Sequence, residues 1–136
     1  MENTKNHAKS AGYVTTILGR KLYAPDINAS NQVIKQAAQR ASINAPLQGS
    51  AADIIKLAMI AVDKVLPKAH AKLLLQVHDE LVFEVDGDKV DEIGQLIKTA
   101  MQNVLTHTAK DLGWQVDFAV PLVVEIGVGD NWDKAH

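Results

Sequence analysis

The sequence predicts an α+β fold, an antiparallel sheet with helices on one face, one of them long and kinked. Three observations lead there. Two apolar runs, Leu73–Val77 and Leu81–Val85, flank a three-residue charged connection and pair naturally as a hairpin. Helical periodicity runs from Asn31 to Leu66 and again from Lys89 to Leu105. Strands and helices cluster rather than alternate strictly, which favours an antiparallel sheet over a doubly wound one.

The elements follow in chain order. "MENTKNHAKSAG" reads as the end of a polar helix, with Lys9 in its last turn and Gly12 as the residue that terminates it. "YVTTILGRKLY" gives two short strands. Val14, Thr15, Thr16 and Ile17 favour extended backbone, and Gly19 supplies the turn. "APDINASN" is a loop from which Ser30 or Asn31 can cap the next helix. That helix meets Pro46, which removes a backbone donor, so a kink or restart is expected there. Ser50 followed by Asp53 resembles a capping box at the restart. The half beyond it is strongly apolar and ends at Pro67. In the hairpin, Leu75, Val77, Leu81 and Phe83 are the expected buried positions. "THTAKDLGWQVDFA" reads as an irregular connection, and "VPLVVEIGVG" as a last strand buried on both faces.

Composition narrows the function classes. At 136 residues the chain is expected to form a single domain, 1–136, burying about two-thirds of its unfolded surface. It has no cysteine, so disulfides and thiolate metal sites are excluded and a reducing cytoplasm is the expected setting. No apolar run approaches the ~20 residues of a membrane span, so no membrane association is expected. The net charge of −2 argues weakly against a free-standing nucleic-acid binder. Its distribution is uneven, however. Residues 1–40 hold six basic against two acidic groups, whereas the remainder holds eight against fourteen. A polyanion held at one end and metal-binding carboxylates at the other would suit that asymmetry, as would chance clustering on a solvated surface.

His78, Asp79 and Glu80 occupy a connection where Asn-Gly would make the better turn. Three readings stand: a solvated acidic turn, the His-Asp pair of metal-dependent phosphohydrolases, and the hairpin carboxylate of a nucleotide polymerase. The second needs further ligands, and His7, His70, His107 and His136 lack the spacing. The third needs a stiff mount, because Mg²⁺ demands near-octahedral oxygens at fixed distance. Arg40, Asn44 and Gln48 recur every fourth residue and so line one helix face. That stripe is either an exposed polar face or a set of donors for the minor groove. There the acceptors lie at nearly equivalent places in all four base pairs. Gly127 and Gly129 lack the third glycine and the helix of a dinucleotide site, so they read as a structural turn. Trp114 and Trp132 read as packing or surface residues.

"QVHDELVFEV" is similar to the motif C hairpin of the bacterial family A DNA polymerases. In the same order, "GYVTTILGRKLYAPDI" resembles that family's T-x-x-G-R-[RK]-x-Y segment, and "RASINAPLQGSAADIIKLAMI" its long palm-side helix. "VPLVVEIGVGDNWDKAH" resembles its carboxyl end. The chain is thereby identified as the C-terminal, palm-type part of such a polymerase domain, with residues 1–12 the end of a fingers-side helix. The "LTHTAKDLGWQVDFA" connection departs from the family by its greater length.

The resemblance implies two-metal transfer of deoxynucleotides to a primer, in DNA replication and repair. It makes Asp79 a catalytic Mg²⁺ ligand, Glu80 an auxiliary acid and His78 a neighbour of the primer end. Gln48 and Asn44 become minor-groove contacts and Arg40 a backbone or minor-groove contact, while Arg20, Lys21 and Lys35 become phosphate contacts. Primer-template DNA and a deoxynucleoside triphosphate are the implied partners, in a cytoplasmic, nucleoid-associated setting. The family's D-Y-S-x-I-E-L-R and R-x-x-x-K-x-x-x-F-G strings do not occur in this sequence. The chain alone is therefore expected to hold half a metal site, to bind Mg²⁺ feebly or not at all, and to be inactive. A sheet lacking a strand would also expose an edge and invite self-association. The competing class is a noncatalytic DNA-binding or interaction module that keeps the fold.

Overall fold

The structure, a computed structural model, describes residues 2–116 and 118–135. Met1, Asp117 and His136, which fall within segments read above, lie outside the described residues. The chain divides into two compact units, Met1–Asp53 and Ile54–His136. The fold is α+β, with two separate two-stranded antiparallel sheets in place of one larger sheet.

In the first unit, helix α1 (Glu2–Ala11) stops where Gly12 turns to φ +78° and its N–H bonds the Ala8 carbonyl at 2.9 Å. Only glycine enters that region freely, so the helix end is written into the sequence. Strands β1 (Tyr13–Thr15) and β2 (Lys21–Tyr23) pair Tyr13 with Tyr23 and Thr15 with Lys21. The turn closes through Gly19 N–H to the Thr16 carbonyl, with Gly19 also at positive φ. A single turn of 3₁₀ helix, Pro25–Asn28, delivers Ile27 into a small core with Ala8 and Val14, against which Leu22, Ala38 and Ala45 pack.

Helix α2 (Gln32–Val65) begins at Asn31, whose Oδ1 accepts the Val33 N–H at 2.9 Å and the Ile34 N–H at 3.4 Å. That is an N-cap satisfying two otherwise orphaned donors. The helix runs unbroken through Pro46, which corrects the expected restart at Ser50. Ser50 and Asp53 do not cap; they bind the β1–β2 hairpin. One stretch of α2 has a mean hydropathy of 1.2, so by length and composition it could cross a membrane, which qualifies the run-based reading above. Its polar residues recur along the whole length, and Asp53 is buried in an ion pair with Arg20.

In the second unit, Leu57, Ala58, Ala61 and Val62 are buried, and the helix ends at Val65 ahead of Pro67. Strands β3 (Ala71–Val77) and β4 (Glu80–Val85) form the hairpin, with Ala71 opposite Val85 and Val77 opposite Glu80. The register shifts between Leu73 and Leu75, so Leu74 is an extra residue and the inside-outside alternation reverses past it. As a result Leu75 is 42% exposed, where strict alternation would bury it, and Val77, Leu81 and Phe83 are only partly buried. Phe83 and Val85 pack on a core of Val62, Leu66, Ala71, Ile93 and Ile97. The last two come from α3 (Val90–Gln102), whose first turn carries Asp91 and Glu92 where the helix dipole favours negative charge.

Two expectations fail beyond α3. Helical structure continues as a π turn over Val104–Thr108 and then α4 (Ala109–Asp111), so residues 106–111 are helical where an irregular connection was expected. Val104, Leu105, Thr108 and Ala109 are buried, so burial of one face extends the helix past the sequence's weak local signal. The "VPLVVEIGVG" segment joins no sheet among the described residues, and Val120, Val123, Ile126 and Val128 are exposed. Its glycines lie against the final turn, α5 (Trp132–Ala135), where a Cβ on Gly127 would fall 1.7 Å from the Ala135 carbonyl oxygen.

Replacing Ile93, 2% exposed, by Ala should lower unfolding free energy by about 3 kcal/mol, whereas Leu96→Ala on the exposed side should cost about 1 or less. Denaturant unfolding monitored by circular dichroism measures both. His78 has φ +52°. A β-branched His78→Val should therefore cost about 1–2 kcal/mol in the same experiment, and His78→Asn close to nothing.

Candidate functional site

The hairpin tip is a two-residue loop, His78-Asp79, because Val77 and Glu80 already face each other as the last pair. Two-residue loops ordinarily need a left-handed residue, and here His78 takes it. The Gln76 side-chain amide donates to the His78 carbonyl and braces the turn from inside. His78 and Asp79 are exposed, and Glu80 is partly buried at the head of β4. The loop is thus short, braced and paired on both sides, which fixes where the Asp79 carboxylate starts from. The hairpin's open end is tied as well, by His70 Nδ1 to Asp86 Oδ2 at 2.8 Å and by the Asp86 N–H to the His70 carbonyl.

Asp79 and Glu80 offer hard oxygen donors, the ligand type Mg²⁺ prefers. Among the described residues, no three His, Asp or Glu side chains gather closely enough to enclose an ion. These two carboxylates are the groups of the turn that could contribute oxygen ligands to a metal ion.

In the first unit, Arg40, Asn44 and Gln48 are all exposed on unbroken α2 and lie along one side of it. Lys5, Gln36 and Gln39 join Arg40 around a cleft beside α1, a cluster that sequence spacing did not single out. Lys35 lies in the first turn of α2 and is partly buried. Lys21 Nζ sits 4.5 Å from the centre of the Tyr13 ring, a cation–π contact that leaves it exposed. Arg20 is otherwise engaged. Its Nε donates to Asp53 Oδ1 at 2.9 Å, and its Nη2 lies 2.8 Å from the same oxygen and donates to the Gly49 carbonyl at 3.1 Å.

Sequence reading missed the partners of Asp53 and Ser50. Their only local signal was polarity in an apolar stretch. Asp53 is 7% exposed, and Ser50 Oγ accepts the Ile17 N–H at 2.8 Å.

Residues 1–134 match DNA polymerase family A. DNA polymerase I of Pseudomonas aeruginosa is 46% identical, aligned with 100% of this chain and 14% of its own length. DNA polymerase I of Mycobacterium tuberculosis is 44% identical over 94% of this chain and 13% of its own. The thermostable DNA polymerase I of Thermus thermophilus is 40% identical over 99% and 15%. Among solved structures, the POL domain of Pol1 from M. smegmatis, in complex with DNA primer-template and dNTP, superposes with a TM-score of 0.84 at 43% identity. It covers 98% of this chain and 22% of that one. The chain thus spans about a seventh of the curated relatives it matches, and its fold is part of a polymerase domain. With the match running through the β1–β2 hairpin, the long helix and the acidic turn alike, the chain belongs to DNA polymerase family A.

Proposed function

We propose that this chain is the C-terminal palm portion, with residues 1–12 the end of a fingers-side helix, of a DNA-directed DNA polymerase acting in replication and repair. The supporting observation is the braced two-residue turn that mounts Asp79 between paired strands. A carboxylate on such a mount keeps its position while a substrate is exchanged, which a solvated surface turn has no need to do. The reaction is attack of a primer 3′-hydroxyl on the α-phosphate of a deoxynucleoside triphosphate, with pyrophosphate leaving. Two Mg²⁺ ions, when bound, would activate the hydroxyl and neutralise the leaving group. Asp79 would hold them together with acids outside this sequence, Glu80 would add negative charge beside them, and His78 would border the primer end.

On α2, the Asn44 and Gln48 amides would donate to the purine N3 and pyrimidine O2 acceptors shared by every correct pair. Each such bond discriminates against wrong geometry by about 1–3 kcal/mol. Arg40 would contact the backbone or minor groove, and Lys21 and Lys35 phosphates. The partners are then primer-template DNA and dNTP, and the setting is the bacterial cytoplasm at the nucleoid. The two-stranded β3–β4 sheet has unpaired edges among the described residues, with Leu74 54% exposed, so the isolated chain would self-associate.

In the intact polymerase, Asp79→Ala should reduce turnover by at least about 10³-fold, about 4 kcal/mol, with primer-template affinity within about twofold. Single-turnover extension and a binding titration separate the two effects. Lost folding would assign Asp79 a structural role. The purified 136-residue chain should show no template-directed incorporation. Incorporation above background in a primer-extension assay would overturn the shared metal site.

A further inference from the structure

The β1–β2 hairpin grips α2 immediately after Gln48. Gly49 permits the approach, since a Cβ there would lie 2.7 Å from Thr16 Cγ2 and 2.9 Å from Leu22 Cδ1. At the next residue, Ser50 Oγ accepts the Ile17 N–H. Arg20 then spans from the Gly49 carbonyl to Asp53, one helical turn on. The Asp53 carboxylate is buried, and among the described residues its Oδ2 has no hydrogen-bond partner and its Oδ1 is held by the Arg20 guanidinium. A buried charge held by one partner is badly placed once that partner leaves, which makes the pair an all-or-none contact.

The grip coincides with the weakest point of the helix ladder. Pro46 has no N–H for the Ser42 carbonyl, so the turn before Gln48 lacks a backbone bond that an ordinary helix makes. With that bond absent, the rotation of Gln48 about the helix axis depends on tertiary contacts on its C-terminal side. Gly49, Ser50 and Asp53 supply them.

We propose that the Arg20–Asp53 pair is a positioning latch. It fixes the orientation of the Gln48 amide and so sets how strictly the polymerase rejects a mispaired primer end. The inference rests on the minor-groove reading of Gln48. It also reassigns Arg20, whose Nε and Nη2 are committed within the protein, from phosphate contact to positioning residue.

The test uses the intact polymerase and single-nucleotide extension from matched and mismatched primer ends, with primer-template binding measured across salt concentrations. Gln48→Ala should narrow the match-to-mismatch ratio about tenfold, the low end of one lost minor-groove bond. Asp53→Asn should narrow it similarly, and the double variant no further, because both remove one interaction. Arg20→Ala should narrow the ratio while leaving the salt slope of DNA binding unchanged. An unchanged ratio in Asp53→Asn beside a narrowed one in Gln48→Ala overturns the latch and spares the minor-groove reading. A ratio unmoved by Gln48→Ala overturns both. A salt slope reduced by about one in Arg20→Ala returns Arg20 to phosphate binding and also overturns the latch. If Asp53→Asn does not fold, Ser50→Ala removes a neighbouring hairpin contact, and the same narrowing or its absence decides.

Discussion

A helix that passes through a proline without breaking must be held by more than its own ladder, and α2 is such a helix. Its thirty-four residues contribute to both compact units. Intrinsic propensity charges about 3 kcal/mol for an interior proline. The compensation visible within the first unit is tertiary. Ala38 and Ala45 pack on the small core around Ile27, and the β1–β2 hairpin bonds to Gly49, Ser50 and Asp53 just past the interruption. Small residues on that side of the helix let the hairpin backbone come close enough for those bonds. The exposed side is thereby left to Arg40, Asn44 and Gln48, whose common direction depends on the helix staying whole.

The β3–β4 hairpin meets a different constraint, that of presenting an acid without a glycine at its tip. A non-glycine residue at positive φ is tolerated best when its side chain is polar and unbranched at Cβ, and His78 meets both conditions. The strain is confined to one residue because the strands pair to its very edge. The Leu74 bulge bends and twists the strand while moving apolar side chains outward, and bulges of this kind are common beside functional sites. Ala71, Phe83 and Val85 pack toward the opposite end of the hairpin from the tip, so the anchor and the acidic turn are separate. A substitution at the tip therefore leaves the core contacts in place.

What was legible in the sequence follows the range of the interaction involved. Gly12, Gly19, Asn31 and Pro67 mark ends and turns through contacts within a few residues, and each does what its chemistry predicts. The acidic turn and the Arg40-Asn44-Gln48 spacing were equally local. Asp53 was misread because its partner lies 33 residues away, and a Ser-x-x-Asp pattern fits a capping box just as well. The bulge was invisible because alternation carries no record of an inserted residue.

The failed last strand shows why composition alone cannot make a sheet. Val120–Val128 is rich in β-branched residues, yet a strand exists only when a neighbour accepts its hydrogen bonds. Among the described residues none does, and Val120, Val123 and Val128 remain exposed. At the acidic turn, likewise, no three His, Asp or Glu side chains gather around one point among the described residues. The apolar segment and the acidic turn thus share one feature: among the described residues no ladder forms along the one and no ligand cluster around the other. The curated relatives, of which the chain spans about a seventh, are far longer than it is.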